Sequence, residues 1–137
     1  MVPQILIVED NAIVAEDLKL KLNKLGCRVT GIAYSGLEAI KHVQQKIPDI
    51  VLMDIRLGPG INGIETATLL MRDFKIPVIY LTAHADSDTL AKASATHPYG
   101  YIIKPFNDKE LASTIENALH TLAADNARPN AKGSNAT

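Results

Sequence analysis

At 137 residues the chain has the length of one domain, long enough to bury a substantial core. Apolar residues make up 47% and charged residues 21%, and the net charge of −1 gives no bulk attraction to nucleic acid or an anionic membrane. Cys27 is the single cysteine, which excludes an internal disulfide and a cysteine-based zinc site; at the start of an apolar strand it reads as inert packing. The N-terminus shows neither the basic region nor the apolar core of a signal peptide, and no apolar stretch approaches the ~20 residues of a membrane span, so a cytoplasmic protein is expected.

The apolar run Gln4–Val8 predicts a first strand, ended by Glu9-Asp10-Asn11, where Asn11 or Asp10 can cap a helix. Val14, Leu18, Leu22 and Leu25 then recur at helical spacing, and Gly26 is a natural helix stop. Residues 28–33 are β-branched and apolar and predict a second strand. Ser35-Gly36 opens a second helix with Leu37, Ile40 and Val43 inward, ended by Pro48.

The third strand, 49–54, is a continuous apolar run that stops at the carboxylate of Asp54 and breaks into a loop rich in glycine and proline. A third helix from about Gly63 to Phe74 carries Ile64, Ala67, Leu70 and Met71 inward. Pro77 starts a fourth strand that ends at Thr82-Ala83. Residues 86–96 predict a weak helix, in which Leu90 and several alanines are all that can pack. The last strand, 101–103, runs into Lys104-Pro105-Phe106-Asn107, and Asn107 or Asp108 caps a final helix bearing Leu111, Ile115, Leu119 and Leu122. Residues 1–124 are thus read as one domain and 125–137 as a polar tail or linker stump.

Five strands alternating with five helices predict an α/β fold, (βα)5, a doubly wound parallel sheet in the flavodoxin-like order 2-1-3-4-5. In that order the first and third strands are neighbours, and Glu9, Asp10 and Asp54 converge in one crevice. Three carboxylates in one pocket repel each other, and a hard dication that takes oxygen ligands relieves the conflict. Mg2+ is the expected ion, with Mn2+ a substitute. An ionised Asp54 beside such a cation is a nucleophile towards phosphorus. Phosphoryl transfer needs its equatorial oxygens neutralised. Lys104 is placed to hold one, and the Thr82 hydroxyl with the Ala83 backbone N–H another. Each of these residues taken alone has a plain reading as a helix cap, a strand-end hydroxyl or a surface lysine. Together they all fall at C-terminal strand ends.

On these residues the chain resembles the receiver domains of response regulators in two-component signalling, chemotaxis-type regulators among them. The matching residues are Glu9-Asp10, Asp54, Thr82-Ala83 and Lys104-Pro105-Phe106, and the resemblance covers roughly residues 4–122. It implies that Asp54 accepts a phosphoryl group from the phosphohistidine of a sensor histidine kinase or phosphotransfer protein. It also implies that Glu9, Asp10, Asp54 and the backbone carbonyl of Arg56 hold the metal, and that the Lys104–Pro105 bond is cis. Thr82 and Tyr101 become the switch, which changes the face made by the fourth helix, fifth strand and fifth helix for a downstream partner or effector domain, or for a homodimer through the fourth and fifth helices. Arg56 and His84 flank the site, where they influence how water reaches the phosphoryl group. A departure from the family pattern is a loop from Asp54 to Gly63 one residue longer than in chemotaxis-type regulators, with Asn62 where an Asp-Gly pair is common. By this reading the chain is a signalling phosphoacceptor and not a turnover enzyme.

Three other readings compete. Gly58-Pro59-Gly60-Ile61-Asn62-Gly63 matches the dinucleotide fingerprint, but Pro59 removes an N–H that a pyrophosphate needs and Asp54 repels phosphates. A phosphatase acting through an aspartyl phosphate, of the haloacid-dehalogenase kind, needs a second Asp where Arg56 stands. The remaining alternative is a binding module that keeps the fold without phosphorylation, against which the full set of acids, Thr82 and Lys104 argues. His42, His84, His97 and His120 fall on separate elements without metal-ligand spacing. No basic stripe or recognition helix supports nucleic-acid binding.

Overall fold

A computed structural model of the chain describes residues 2–83 and 87–127. The elements follow in the order β1 (Gln4–Val8), α1 (Ala12–Lys24), β2 (Arg28–Ala33), α2 (Gly36–Gln45), β3 (Ile50–Asp54), α3 (Gly63–Phe74), β4 (Val78–Thr82), α4 (Ser87–Ser94), β5 (Gly100–Ile103) and α5 (Asp108–Ala127). All strand pairs are parallel, in the order β2-β1-β3-β4-β5. The expected fold class and strand order are those of the structure.

Period-two alternation divides the strand side chains between two cores. Ile5, Ile7, Ile50, Leu52, Ile79, Leu81 and Ile102 point to the face covered by α1 and α5, where they meet Leu18, Leu22, Leu111 and Ile115. Leu6, Val8, Val51, Met53 and Tyr80 point to the other face, against Ala39, Val43, Ala67, Leu70 and Ala93 of α2, α3 and α4. β3 and β4 are buried along their whole length, which is why they read as unbroken apolar runs rather than alternating ones.

The helix ends follow from their caps. Asn11, not Asp10, caps α1, its Oδ1 accepting from the amides of Ile13 and Val14. At the other end Gly26 takes φ +87°, the Cys27 amide donates to the Leu22 carbonyl and the Gly26 amide to Asn23, a Schellman stop. Asn62 and Glu65 form a reciprocal capping box at the start of α3, a local reason for an asparagine at this position. Asn107 caps α5 through the Glu110 amide.

Two expectations for helix faces need correction. Leu37 is 59% exposed and Leu25 41% exposed. The inward positions of α2 are Gly36, Ala39 and Val43, which places Leu37 on the outer side of the first turn, and Leu25 lies at the cap, where the chain already turns away. α5 also runs past residue 124 to Ala127, and Tyr99 donates to Asp125 Oδ2 at 2.6 Å. The rest of the expected tail, from residue 128, lies outside the described residues.

Candidate functional site: an acidic pocket with one lysine

The C-terminal ends of β1, β3, β4 and β5 open on the same edge of the sheet, and each delivers one component of the site. β1 pairs with β3 so that Val8 lies opposite Met53, which sets Glu9 and Asp10 beside Asp54. Glu9 and Asp54 are buried and Asp10 is exposed; each offers a carboxylate oxygen within 4.8 Å of the others. A backbone amide fixes each buried acid: Asn11 N–H donates to Glu9 Oε2 at 3.1 Å, and Arg56 N–H to Asp54 Oδ1 at 3.0 Å. The β3–α3 loop approaches from above, with Gly58 near Asp10: a Cβ there would lie 3.4 Å from Asp10 Oδ2.

Lys104 reaches in from the end of β5. Its Nζ donates to Glu9 Oε1 at 2.6 Å and lies 3.5 Å from Asp54 Oδ2. The Lys104–Pro105 peptide bond is cis, and the Lys104 amide donates to the Thr82 carbonyl at 2.8 Å, which ties the lysine to the end of β4. Thr82 is buried and Ala83 exposed beside it. The loop beyond Pro105 is braced by α1: Lys21 Nζ sits 5.0 Å from the Phe106 ring centroid and pairs with Asp17 and Asp108.

The two buried acids titrate in opposite directions. Burial pushes the Asp54 carboxyl up, and the hydrogen bond and charge of Glu9 add to it; the Lys104 charge and the Arg56 amide only partly offset this, leaving Asp54 at about 7. Burial also opposes the Glu9 charge, but the short Lys104 bond, the Asn11 amide and the bond with Asp54 outweigh it, and Glu9 is held below its usual range. Glu9 and Lys104 form the ion pair, and beside the Glu9 charge Asp54 gives up its proton less readily. An added oxygen-seeking cation would let both carboxylates ionise. The donor set fits one, since three carboxylates whose oxygens lie this close are the ligands a hard divalent ion takes.

The sequence-predicted residues Glu9, Asp10, Asp54, Arg56, Thr82, Ala83 and Lys104 therefore lie along one edge of the sheet. Tyr101 stands apart, on the side of the sheet facing α4, its hydroxyl 2.7 Å from Ser94 Oγ. His84 lies outside the described residues. Gly63 escaped the functional reading: a Cβ there would stand 1.9 Å from the backbone oxygen of Asp54, so this residue lets α3 start against the acid's own peptide. In the sequence it is marked as the start of the third helix, the end of the loop after Asp54 and the last glycine of the dinucleotide-like spacing, none of which points to this contact. Among the described residues no helix is long and apolar enough to cross a membrane.

Fold and site together define a doubly wound α/β domain with a carboxylate–lysine pocket at the switch point of its sheet. Residues 5–116 match the family model of the response regulator receiver domain. The chain is 33% identical over 120 residues to the phyllosphere-induced regulator PhyR of Methylorubrum extorquens, covering 87% of this chain and 44% of that protein. It is 35% identical over 116 residues to the DNA-binding response regulator MtrA of Mycobacterium tuberculosis, covering 85% of this chain and 50% of MtrA. Among solved structures, the signal receiver domain of a modulated diguanylate cyclase from Desulfovibrio desulfuricans superposes with a TM-score of 0.85 at 35% identity, covering 91% of this chain and 99% of that one. The chain belongs to the response regulator receiver domain family of two-component systems. It spans about half the length of the curated relatives it matches.

Proposed function

We propose that the domain accepts a phosphoryl group on Asp54 from the phosphohistidine of a sensor histidine kinase or phosphotransfer protein. The observation that carries this reading is the position of Asp54: buried at the end of β3, held by one amide, clustered with two further acids and within 3.5 Å of a lysine ammonium. An Asp54 oxygen attacks phosphorus, the new P–O bond forms as the P–N bond breaks, and the electron pair leaves with the imidazole. Lys104 exchanges its bond to Glu9 for one to a phosphoryl oxygen, while the Thr82 hydroxyl and the Ala83 N–H receive another.

Glu9, Asp10, Asp54 and the Arg56 carbonyl would hold Mg2+, which when bound supplies charge neutralisation for the carboxylates and the phosphoryl group. Buried Thr82 then draws towards the new phosphoryl group, and Tyr101 leaves Ser94 for the space this opens. The changed surface is that of α4, β5 and α5, read by a protein partner, an effector segment or a second copy. The names of the relatives include both a DNA-binding regulator and a phyllosphere-induced regulator, so a single output does not follow from family membership.

The test is intact mass after incubation with acetyl phosphate and Mg2+. A gain of one phosphoryl group that is lost in Asp54→Asn and with EDTA supports the reading. No gain with acetyl phosphate or with a phosphohistidine donor favours a binding module that works without phosphorylation.

A further inference from the structure

The edge of the sheet where the strands begin, opposite the acidic pocket, exposes three large aliphatic side chains. They are Val2 (56% exposed), Leu25 and Ile47 (59%). Backbone bonds bring their segments together. The Arg28 amide donates to the Pro3 carbonyl at 2.8 Å, and the Asp49 amide to the Gln4 carbonyl at 2.7 Å. The start of β1 therefore lies between the α1–β2 turn, which carries Leu25, and the α2–β3 turn, which carries Ile47. Val2 stands between the two.

Cations frame the same edge. Lys24 precedes Leu25, Lys46 precedes Ile47, and Arg28 opens β2. All three are exposed, and among the described residues none has an ion-pair partner. The one acid in these segments, Asp49, is engaged within the fold, accepting from the Gln4 amide at 2.8 Å. A lysine at a helix C-terminus complements the helix dipole and needs no ligand. The aliphatic residue after it has no such reason to face water. The end of α3 gives the contrast: it has the same pairing, Lys75-Ile76, but there the isoleucine is 2% exposed and joins the core. Leu25 and Ile47 forgo that burial.

We propose that this edge docks a protein segment bearing both aliphatic and acidic side chains. The aliphatic ones cover Val2, Leu25 and Ile47, and the carboxylates meet Lys24, Arg28 and Lys46. Charge and composition disfavour the other occupants. Residues 128–137 carry Arg128 and Lys132, with no acid and no leucine, isoleucine or valine. A second copy docked through the same patch by a two-fold axis sets like charges against each other. An anionic bilayer meets only three aliphatic side chains, on a chain whose net charge is −1. The surface lies at the far ends of the strands from Asp54 and is independent of the phosphoacceptor reading.

The test selects a display library of random peptides on the wild-type chain. Peptides that also bind Leu25→Ser/Ile47→Ser or Lys24→Glu/Lys46→Glu are subtracted as bound elsewhere, and an unchanged urea midpoint shows that both variants fold. The expected survivors combine leucine, isoleucine or valine with aspartate or glutamate. Their affinity should drop about tenfold or more in each double variant, the loss of two anchors, and should weaken as salt rises. The proposal is overturned if no peptide survives subtraction, or if the survivors are basic or lack acids. It is also overturned if the wild type, and not the variants, self-associates or sediments with vesicles of phosphatidylcholine and phosphatidylglycerol, since the occupant is then a second copy or a lipid surface.

Discussion

Lys104 Nζ stands closer to Glu9, at 2.6 Å, than to Asp54, at 3.5 Å. The lysine is thus engaged chiefly by Glu9, and its charge compensates a glutamate that is 1% exposed. Removing it leaves an uncompensated buried charge. Lys104→Met should destabilise the metal-free protein by up to about 3–5 kcal/mol, the range for breaking one side of a buried ion pair, and Mg2+ should restore part of the loss. Phosphorylation by acetyl phosphate should slow by at least about tenfold even at saturating Mg2+. Urea unfolding with and without Mg2+, beside the rate of mass gain, checks both.

Asp54 should make the metal-free protein less stable as pH rises. Its proton is held to about 7 in the folded chain, against about 4 for an unperturbed Asp. Between those values the folded state binds the extra proton, so stability falls as pH increases through that window. Glu9, held low, contributes in the opposite sense: its stabilisation is present above its unfolded value and is lost as pH falls through its folded one. Asp54→Asn should remove the decline and leave the metal-free protein about 1–4 kcal/mol more stable than wild type at pH 8, the scale of a shift of this size. Denaturation in urea between pH 5 and 8 reads this directly; a variant no more stable than wild type at pH 8 contradicts it.

Asp10 and Glu9 should separate affinity from stability. Asp10 is exposed, whereas Glu9 is buried, accepts from the Asn11 amide and pairs with Lys104. Asp10→Asn is expected to weaken Mg2+ binding by about tenfold or more, the effect of losing one carboxylate ligand, while the urea midpoint stays within experimental error. Glu9→Gln should lower both. Mg2+ titration by calorimetry, paired with urea melts, distinguishes them.

Gly63→Ala should be severe for a reason unrelated to charge. The added carbon would lie 1.9 Å from the Asp54 carbonyl oxygen and 2.8 Å from the Ile55 Cα, all backbone, so α3 or the end of β3 must move. A loss of about 2 kcal/mol or more is expected from such overpacking, with slower phosphorylation because Asp54 moves too. Gly26 provides the contrast. Its φ of +87° is strained for alanine although no atom lies near, so Gly26→Ala should destabilise and leave phosphorylation unchanged.

The fold was legible because five β-branched runs alternate with helical periodicity and leave one common topology for a chain of this length. The site was legible because its residues share a positional rule, each standing where a strand ends. What escaped was set by tertiary contact. Leu37 and Leu25 have the right residue type for a core, but Leu37 falls on the outer side of the first turn of α2 and Leu25 at the cap of α1. α5 continues through Asp125 to Ala127, where Tyr99, distant in sequence, bonds Asp125. The Tyr80–Thr96 and Tyr101–Ser94 pairs join residues 16 and 7 positions apart with no periodic mark. The sequence marks Gly63 as the start of a helix and the last glycine of a spacing set aside as a dinucleotide fingerprint; its contact with the Asp54 backbone is tertiary.

The most direct test of Asp54 as phosphoacceptor is borohydride reduction after transfer from a labelled phosphohistidine donor, followed by peptide mapping. Hydride converts an aspartyl phosphate to homoserine and leaves a free carboxylate intact, so the product marks the residue that held the phosphoryl group. The expected result is homoserine at position 54 alone, formed only when Mg2+ is present during transfer. Conversion at another carboxylate, or a donor that keeps its label while Asp54 stays unreduced, would contradict it.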